Sequence, residues 1–77
     1  QQFDLIVSNI PAKVGKEMLA IINQDAMDHL RPGGRFYVVS VNGLRQLFKR
    51  EFTEVFGNYK KVKQGKNYTV SMAQKPF

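Results

Sequence analysis

The sequence contains no cysteine, no tryptophan and a single histidine, and these absences exclude several classes of site. Without cysteine, the chain forms neither disulfides nor thiolate metal centres. His29 has no partners in the sequence for a catalytic triad, and no cluster has metal-ligand spacing, so no metal site is predicted. No apolar run approaches the roughly 20 residues that span a bilayer, and no signal peptide is visible. We therefore expect a cytoplasmic protein.

Glycine-rich phosphate-binding loops are also missing. The segment Val14–Glu17 invites comparison with the motif G-x-x-x-x-G-K-[ST], but Ile10 stands at the first glycine position and Glu17 at the magnesium-binding hydroxyl position. No G-x-G-x-x-G motif occurs anywhere. Residues 1–77 therefore contain no recognisable nucleotide-binding loop.

The charge is strongly basic and unevenly placed. Residues 1–30 carry two lysines against four carboxylates, whereas residues 31–77 carry ten basic side chains against two carboxylates. Such an asymmetry is typical of proteins that bind a polyanion, most simply nucleic acid, and a solubilising surface is the alternative. We predict that contacts to the phosphate backbone of a nucleic acid come from five lysines: Lys16, Lys60, Lys61, Lys63 and Lys66.

A short apolar run near the start of the chain predicts a strand that leads into a functional loop. Leu5–Val7 is rich in β-branched residues, Ser8 and Asn9 end the run, and Pro11 disfavours an immediate helix. Open α/β sheets bind ligands outside the carboxyl ends of their strands. Residues 8–13 are therefore the candidate site, although an ordinary strand-to-helix connection would look the same.

The rest of the chain predicts the order β-α-β-α-β-β. An amphipathic helix spans residues 14–30 and ends at Arg-Pro-Gly-Gly, where glycine supplies a left-handed cap. Asn42 is predicted to cap the second helix, which stops at Gly57. The predicted strands are residues 36–41, 59–63 and 68–73, the last two joined by a hairpin turn at residues 64–67.

Two right-handed crossovers followed by a hairpin predict a mostly parallel α/β sheet with the strand order first, second, fourth, third. Both helices then cover one face. The first two strands are apolar on both faces, so another layer should cover the open face. We expect the isolated 77-residue chain to expose residues from Phe3–Val7 and Phe36–Val41 there, and to form a homodimer through this face or the edge of the first strand.

Four features together resemble a known half-domain. They are the segment Phe-Asp-Leu-Ile-Val-Ser-Asn-x-Pro, the Arg-Pro-Gly-Gly helix end, the strand Phe-Tyr-Val-Val-Ser-Val and the closing hairpin. They resemble the C-terminal half of class I S-adenosylmethionine-dependent methyltransferases, most closely the small-domain enzymes that modify ribosomal RNA at guanine N2 and their archaeal relatives. The resemblance covers residues 3–73. It implies that residues 1–77 form the C-terminal part of a Rossmann-like methyltransferase domain.

The resemblance also implies an activity and its residues. In this family the fourth strand ends in Asn-Pro-Pro followed by an aromatic or apolar residue. Asn9 matches the Asn and Pro11 the second Pro, which implies that both are catalytic. Ile10 replaces the first Pro, and Ala12 stands where many members have an aromatic residue that stacks on the target base. The implied substrate-binding residues are Ser8, Ile10, Ala12 and Lys13.

The implied reaction is methyl transfer from S-adenosylmethionine to an exocyclic amine of a base in rRNA or tRNA. The family binds its cofactor mainly through its first half, which residues 1–77 do not include, so we expect this chain alone to be inactive. The alternative is a non-catalytic basic RNA-binding or scaffold module. That alternative explains the charge, but it does not explain two strands that are apolar on both faces.

Overall fold

The computed structural model describes residues 2–76. The elements follow one another as β1 (Phe3–Asn9), α1 (Lys16–His29), β2 (Leu30–Val41), α2 (Arg45–Phe56), β3 (Lys60–Gln64) and β4 (Tyr68–Gln74). This is the predicted β-α-β-α-β-β order, with boundaries that shift by up to six residues, the largest shift being at the start of β2, which the sequence predicts at Phe36 and which lies at Leu30. Ser8 and Asn9 lie inside β1 rather than after it, and Tyr59 precedes β3 rather than opening it.

The four strands of the described chain form one sheet in the order β1-β2-β4-β3, which confirms the predicted topology. β1 pairs with β2 in parallel, and β4 is antiparallel to both of its neighbours. β1, β2 and β3 therefore run in the same direction. Their carboxyl ends share one edge of the sheet, which is where the candidate loop begins.

Both helices pack on the same face of this sheet. Residues that lie opposite each other in neighbouring strands point to the same face. The buried residues of β2 and β4 are paired in this way: Phe36 with Ala73, Val38 with Ser71 and Ser40 with Thr69. Leu19 and Ala26 of α1 join the same core as the phenylalanines of α2. The predicted placement of the helices is therefore confirmed.

A cluster of phenylalanine rings holds α2 against the sheet. Phe48, Phe52 and Phe56 recur every four residues, so they form one stripe along the helix, and all three are fully buried. Phe52 lies in the middle, with its ring centroid 5.6 Å from Phe36 of β2 and 5.6 Å from Phe56. Tilted and edge-on aromatic contacts at this distance add to the free energy gained from burying apolar area.

The opposite face of the sheet is apolar and carries no helix among the described residues. Leu5 and Val7 of β1 are 54% and 62% exposed. Tyr37 of β2 and Val70 and Met72 of β4, on the same face, are only half-buried. The predicted open face is therefore present. No helix in the described part of the chain is long and apolar enough to cross a membrane.

The end of α1 differs from the prediction. The residue after the helix is Leu30, which is fully buried and extended at φ −87° and ψ 142°, so the chain passes directly into β2. Gly33 has the left-handed φ of 82°, but it lies in the irregular start of β2 and not at the helix cap. The predicted glycine cap is wrong because Leu30 is held in the core and pairs with Phe3 in the sheet.

A lysine from the C-terminal segment replaces that cap. Lys75 Nζ donates hydrogen bonds to the carbonyls of Met27 and Leu30, at 2.8 and 3.0 Å. Its backbone N–H also donates to the carbonyl of Gly34. A cation at a helix C-terminus satisfies carbonyls that have no partner within the helix and interacts favourably with the helix dipole.

Asn42 does not cap α2. It opens a short 3₁₀ turn, Asn42–Leu44, ahead of the helix, and no side-chain cap is formed. Its Nδ2 donates to the carbonyls of Gly65 and Lys66, and its Oδ1 accepts a hydrogen bond from the hydroxyl of the buried Thr69. The predicted cap is therefore wrong, and the side chain instead joins the end of β2 to the β3–β4 hairpin.

The Asn42 contacts predict a measurable contribution to stability. Asn42→Ala removes three hydrogen bonds and leaves the buried Thr69 hydroxyl without its acceptor, so we expect the free energy of unfolding to fall by roughly 1–3 kcal/mol. Asn67→Ala is the matched control, because Asn67 is exposed in the same hairpin and uses its backbone carbonyl to accept from Asn42. It should change stability by less than about 0.5 kcal/mol. Urea unfolding measures both, and equal effects would contradict this role for Asn42.

Candidate active site

The candidate loop begins where β1 ends. Ser8 and Asn9 are the last residues of β1, and they pair in parallel with Val38 and Val39 of β2. Ser8 is half-buried on the helix side of the sheet, whereas Asn9 is exposed. The strand pairing thus holds an exposed carboxamide at the carboxyl edge of the sheet.

Ile10 extends this anchoring one residue beyond the strand. Its backbone N–H donates to the carbonyl of Val39 at 2.9 Å, and its side chain is only 7% exposed. The N–H that a proline at this position would lack is therefore used to continue the pairing with β2. Asn9 is consequently held by pairing with β2 that continues to the residue after it, and Ile10 acts as an apolar anchor for the loop.

The middle of the loop is exposed. Pro11, Ala12 and Lys13 are all exposed, and the chain is held again at Val14, which packs against the core. Gly15 precedes α1 in an extended conformation, and its carbonyl accepts the first hydrogen bond of the helix, from Leu19. The loop is thus fixed at both ends and open between them, an arrangement that leaves residues 11–13 accessible to a ligand.

The predicted basic residues do not form one patch. Lys60 pairs with Met72 and Lys63 with Val70, so both lie on the open face, whereas Lys61 pairs with the buried Ser71 on the helix face. Residues three apart in a regular strand point to opposite faces. Lys60 and Lys63 share a face because the register shifts between Lys61 and Lys63.

Lys63 and Lys66 lie toward the end of the sheet at which the loop begins. Asn9 pairs with Val39, Val39 with Val70, and Val70 with Lys63. Three strand spacings separate Asn9 from Lys63, which is about 14 Å. Lys66 lies in the hairpin turn that Asn42 fixes at the end of β2, and its carbonyl is the acceptor. Both lysines therefore lie toward the same edge of the sheet as the loop.

Lys16 approaches that edge from the other side. It is the first residue of α1, which begins directly after the loop, and it is exposed. Asn9, Lys16 and Lys66 are thus brought to one end of the molecule by three different elements. Within residues 2–76, no three His, Asp or Glu side chains are grouped so that they could hold a metal ion.

Two basic residues escaped the sequence analysis. Arg45 and Lys49 lie in the first turns of α2, and with Lys61 they line a cleft between this helix and β3. Their spacing of four residues places them on one side of a helix. That spacing could have indicated a basic side of the helix. The sequence did not show that β3 packs beside this helix and brings Lys61 to the same cleft.

Comparison with known proteins agrees with this architecture. A family model described as "Methyltransferase small domain" matches residues 1–72. No curated protein sequence matches significantly.

Two solved structures share the fold of almost the whole chain. One is the Thermus thermophilus 16S rRNA N2 G1207 methyltransferase RsmC in complex with AdoMet and guanosine, with a TM-score of 0.80 and 33% identity over 96% of this chain. The other is a methyltransferase from Pyrococcus furiosus, with a TM-score of 0.78 and 26% identity over 99% of this chain. The chain spans 20% and 42% of the length of these two proteins. With the family model matching nearly all of its residues, the chain belongs to the methyltransferase small-domain family.

Proposed function

We propose that the chain is part of an S-adenosylmethionine-dependent methyltransferase that methylates an exocyclic amine of an RNA base. The observation that carries the proposal is the exposed Asn9, held by strand pairing at the carboxyl edge of the sheet and followed by an open loop. The family match and the similarity to an enzyme bound to AdoMet and guanosine support it.

Asn9 suits the task that this chemistry sets. An exocyclic amine is a poor nucleophile, because its lone pair is delocalised into the ring. The Asn9 carboxamide oxygen and a loop carbonyl would accept the two N–H bonds and aim the nitrogen at the methyl group. Most of the rate gain would then come from positioning and local electrostatics.

When bound, S-adenosylmethionine supplies an electrophilic sulfonium methyl group. The amine nitrogen forms a new N–C bond as the C–S bond breaks, and one proton leaves the nitrogen for water. Ser8 and Asn9 place uncharged polar groups at the end of an edge strand. Such groups can form hydrogen bonds with the amine that accepts the methyl group. In the proposed enzyme, adenosine and ribose bind mainly to residues outside this chain.

The charge distribution supports RNA as the substrate. Lys16, Lys63 and Lys66 lie on three elements around the carboxyl edge of the sheet, where phosphates that flank a flipped base would pass. Ala12 is exposed and offers no ring for stacking. Contacts between lysines and RNA phosphates therefore have to supply more of the RNA affinity in this chain than in a relative with an aromatic residue at this position.

Asn9→Ala tests the catalytic assignment in the protein expressed from the complete open reading frame. We expect turnover on RNA to fall roughly 100-fold, a typical loss for one preorganised polar group, with little change in cofactor affinity. The exposed Gln24 on α1 provides a control, since Gln24→Ala removes a side-chain amide far from the loop. Unchanged turnover in Asn9→Ala would show that Asn9 is only a strand-end residue. Absence of RNA methylation by the unmutated protein would instead favour the non-catalytic RNA-binding module.

We also propose that the isolated 77-residue chain forms a homodimer through its open sheet face or the edge of β1. Exposed apolar residues on one face favour association, and the net charge of +6 opposes it, so added salt should strengthen the dimer by screening. Val7→Lys places a charge on this face and should weaken the dimer. Ile21→Lys is the matched control, because Ile21 is 57% exposed on α1. Sedimentation equilibrium at low and high salt measures both, and a monomer under all conditions would contradict the proposal.

A further inference from the structure

A basic cleft lies between α2 and the outer strand β3, apart from the candidate loop. Its volume is about 190 Å³, and its lining residues are Arg45, Gln46, Lys49, Tyr59 and Lys61. Three of the five are basic and none is acidic. An uncompensated group of cations around a concave surface is the electrostatic arrangement that favours an anionic ligand.

One glutamine draws two of these cations together. Arg45 Nη1 and Lys61 Nζ each donate to Gln64 Oε1 at 3.0 Å. The two nitrogen atoms are therefore at most about 6 Å apart, a separation at which unit charges near a protein surface still repel. A single neutral acceptor holds them there, and a bound anion would relieve the repulsion.

Arg45 also has an unused donor. Its Nε is buried and has no hydrogen-bond partner among the residues that the structure describes. An unpaired buried donor is costly, so a small shift of the guanidinium toward a ligand with several acceptor oxygens would give this N–H a partner. Guanidinium donors form a planar fork that matches phosphate oxygens, which makes phosphate the best fitting ligand chemistry.

The cleft offers charge but no free ring for a base. Tyr59 OH lies 3.3 Å from Ser71 Oγ, and the Tyr59 ring packs 6.2 Å from Phe52. The ring is therefore committed to the core rather than available for stacking. This favours a phosphate group of a nucleic-acid backbone over a nucleobase.

The cleft is placed to follow an RNA strand away from the loop. Arg45 begins α2 and Gln64 ends β3, so their contact lies toward the same edge of the sheet as Asn9. β3 is three strands from β1, or about 14 Å, and about four nucleotides cover this distance at the duplex rise of about 3.4 Å. We propose that Arg45, Lys49 and Lys61 bind a backbone phosphate of the RNA a few nucleotides from the base held at Asn9.

This inference rests on the proposed RNA substrate, and its test is chosen so that the two can fail separately. The probe is a fluorescein-labelled uridine oligonucleotide, which carries backbone phosphates but no exocyclic amine. Fluorescence anisotropy gives its Kd at several salt concentrations for the protein from the complete open reading frame. For Arg45→Gln, we expect the slope of log Kd against log salt to fall by about 0.7, as for loss of one phosphate contact to a single strand.

Two further variants make the result decisive. Lys49→Gln should also lower the slope. Because Lys49 is exposed, this variant tests the cleft even if Arg45→Gln disturbs the fold. Arg31→Gln is the control with the same charge change. Arg31 lies exposed at the start of β2, away from the cleft, and its side chain faces Asp4 of β1. Equal slopes for all three variants and the unmutated protein would overturn the inference.

Competition experiments identify the source of the phosphate. Inorganic phosphate at matched ionic strength should not displace the oligonucleotide, and full displacement would show a free-anion site and overturn the inference. Tighter binding of polyglutamate than of the oligonucleotide would also overturn it, in favour of an acidic protein partner.

In methylation assays, Arg45→Gln should raise KM for a guanine-containing RNA, whereas Arg31→Gln should not. If no RNA is methylated, the proposed function fails, and the uridine slopes still decide whether the cleft binds RNA.

Discussion

The packing of phenylalanine rings between α2 and the sheet is the contact on which the rest of the molecule depends. Phe52 touches rings from both β2 and α2, and its neighbours along the helix are equally buried. This stripe and the buried residues of α1 pack on the same face of the sheet, so the core lies on that face alone. It also sets the orientation of α2, and through it the position of Arg45 beside β3. The other face is left apolar and open as a consequence.

Backbone pairing, helped by one buried side chain, positions the candidate catalytic residue. Parallel pairing with β2 holds Asn9, and Ile10 continues it with one more hydrogen bond and a buried side chain. A proline at position 10 could not donate that bond, so this chain fixes its loop through means different from the Asn-Pro-Pro pattern. The exposed Ala12 contributes no stacking surface. The phosphate contacts proposed at the hairpin and at the cleft are the compensation that the remaining residues can offer.

Local patterns in the sequence were sufficient to predict the element order, the strand order and the position of the loop. Helical spacing in both helices and the turn residues before Tyr68 are local signals, and handedness then limits the topology. What failed depends on distant partners. The end of α1 is capped by Lys75 from the far end of the chain, and Asn42 bonds to residues more than twenty positions away. The basic cleft was missed for the same reason, since Arg45 and Lys61 are far apart in the sequence and come together at Gln64.

The most direct test of this account is the chemical position of the transferred methyl group. RNA is incubated with the protein from the complete open reading frame and methyl-labelled S-adenosylmethionine, digested to nucleosides and analysed by mass spectrometry. The geometry at Asn9 predicts that the label resides on an exocyclic nitrogen of a base. Label on a ribose oxygen, a ring carbon or a protein side chain would contradict the account.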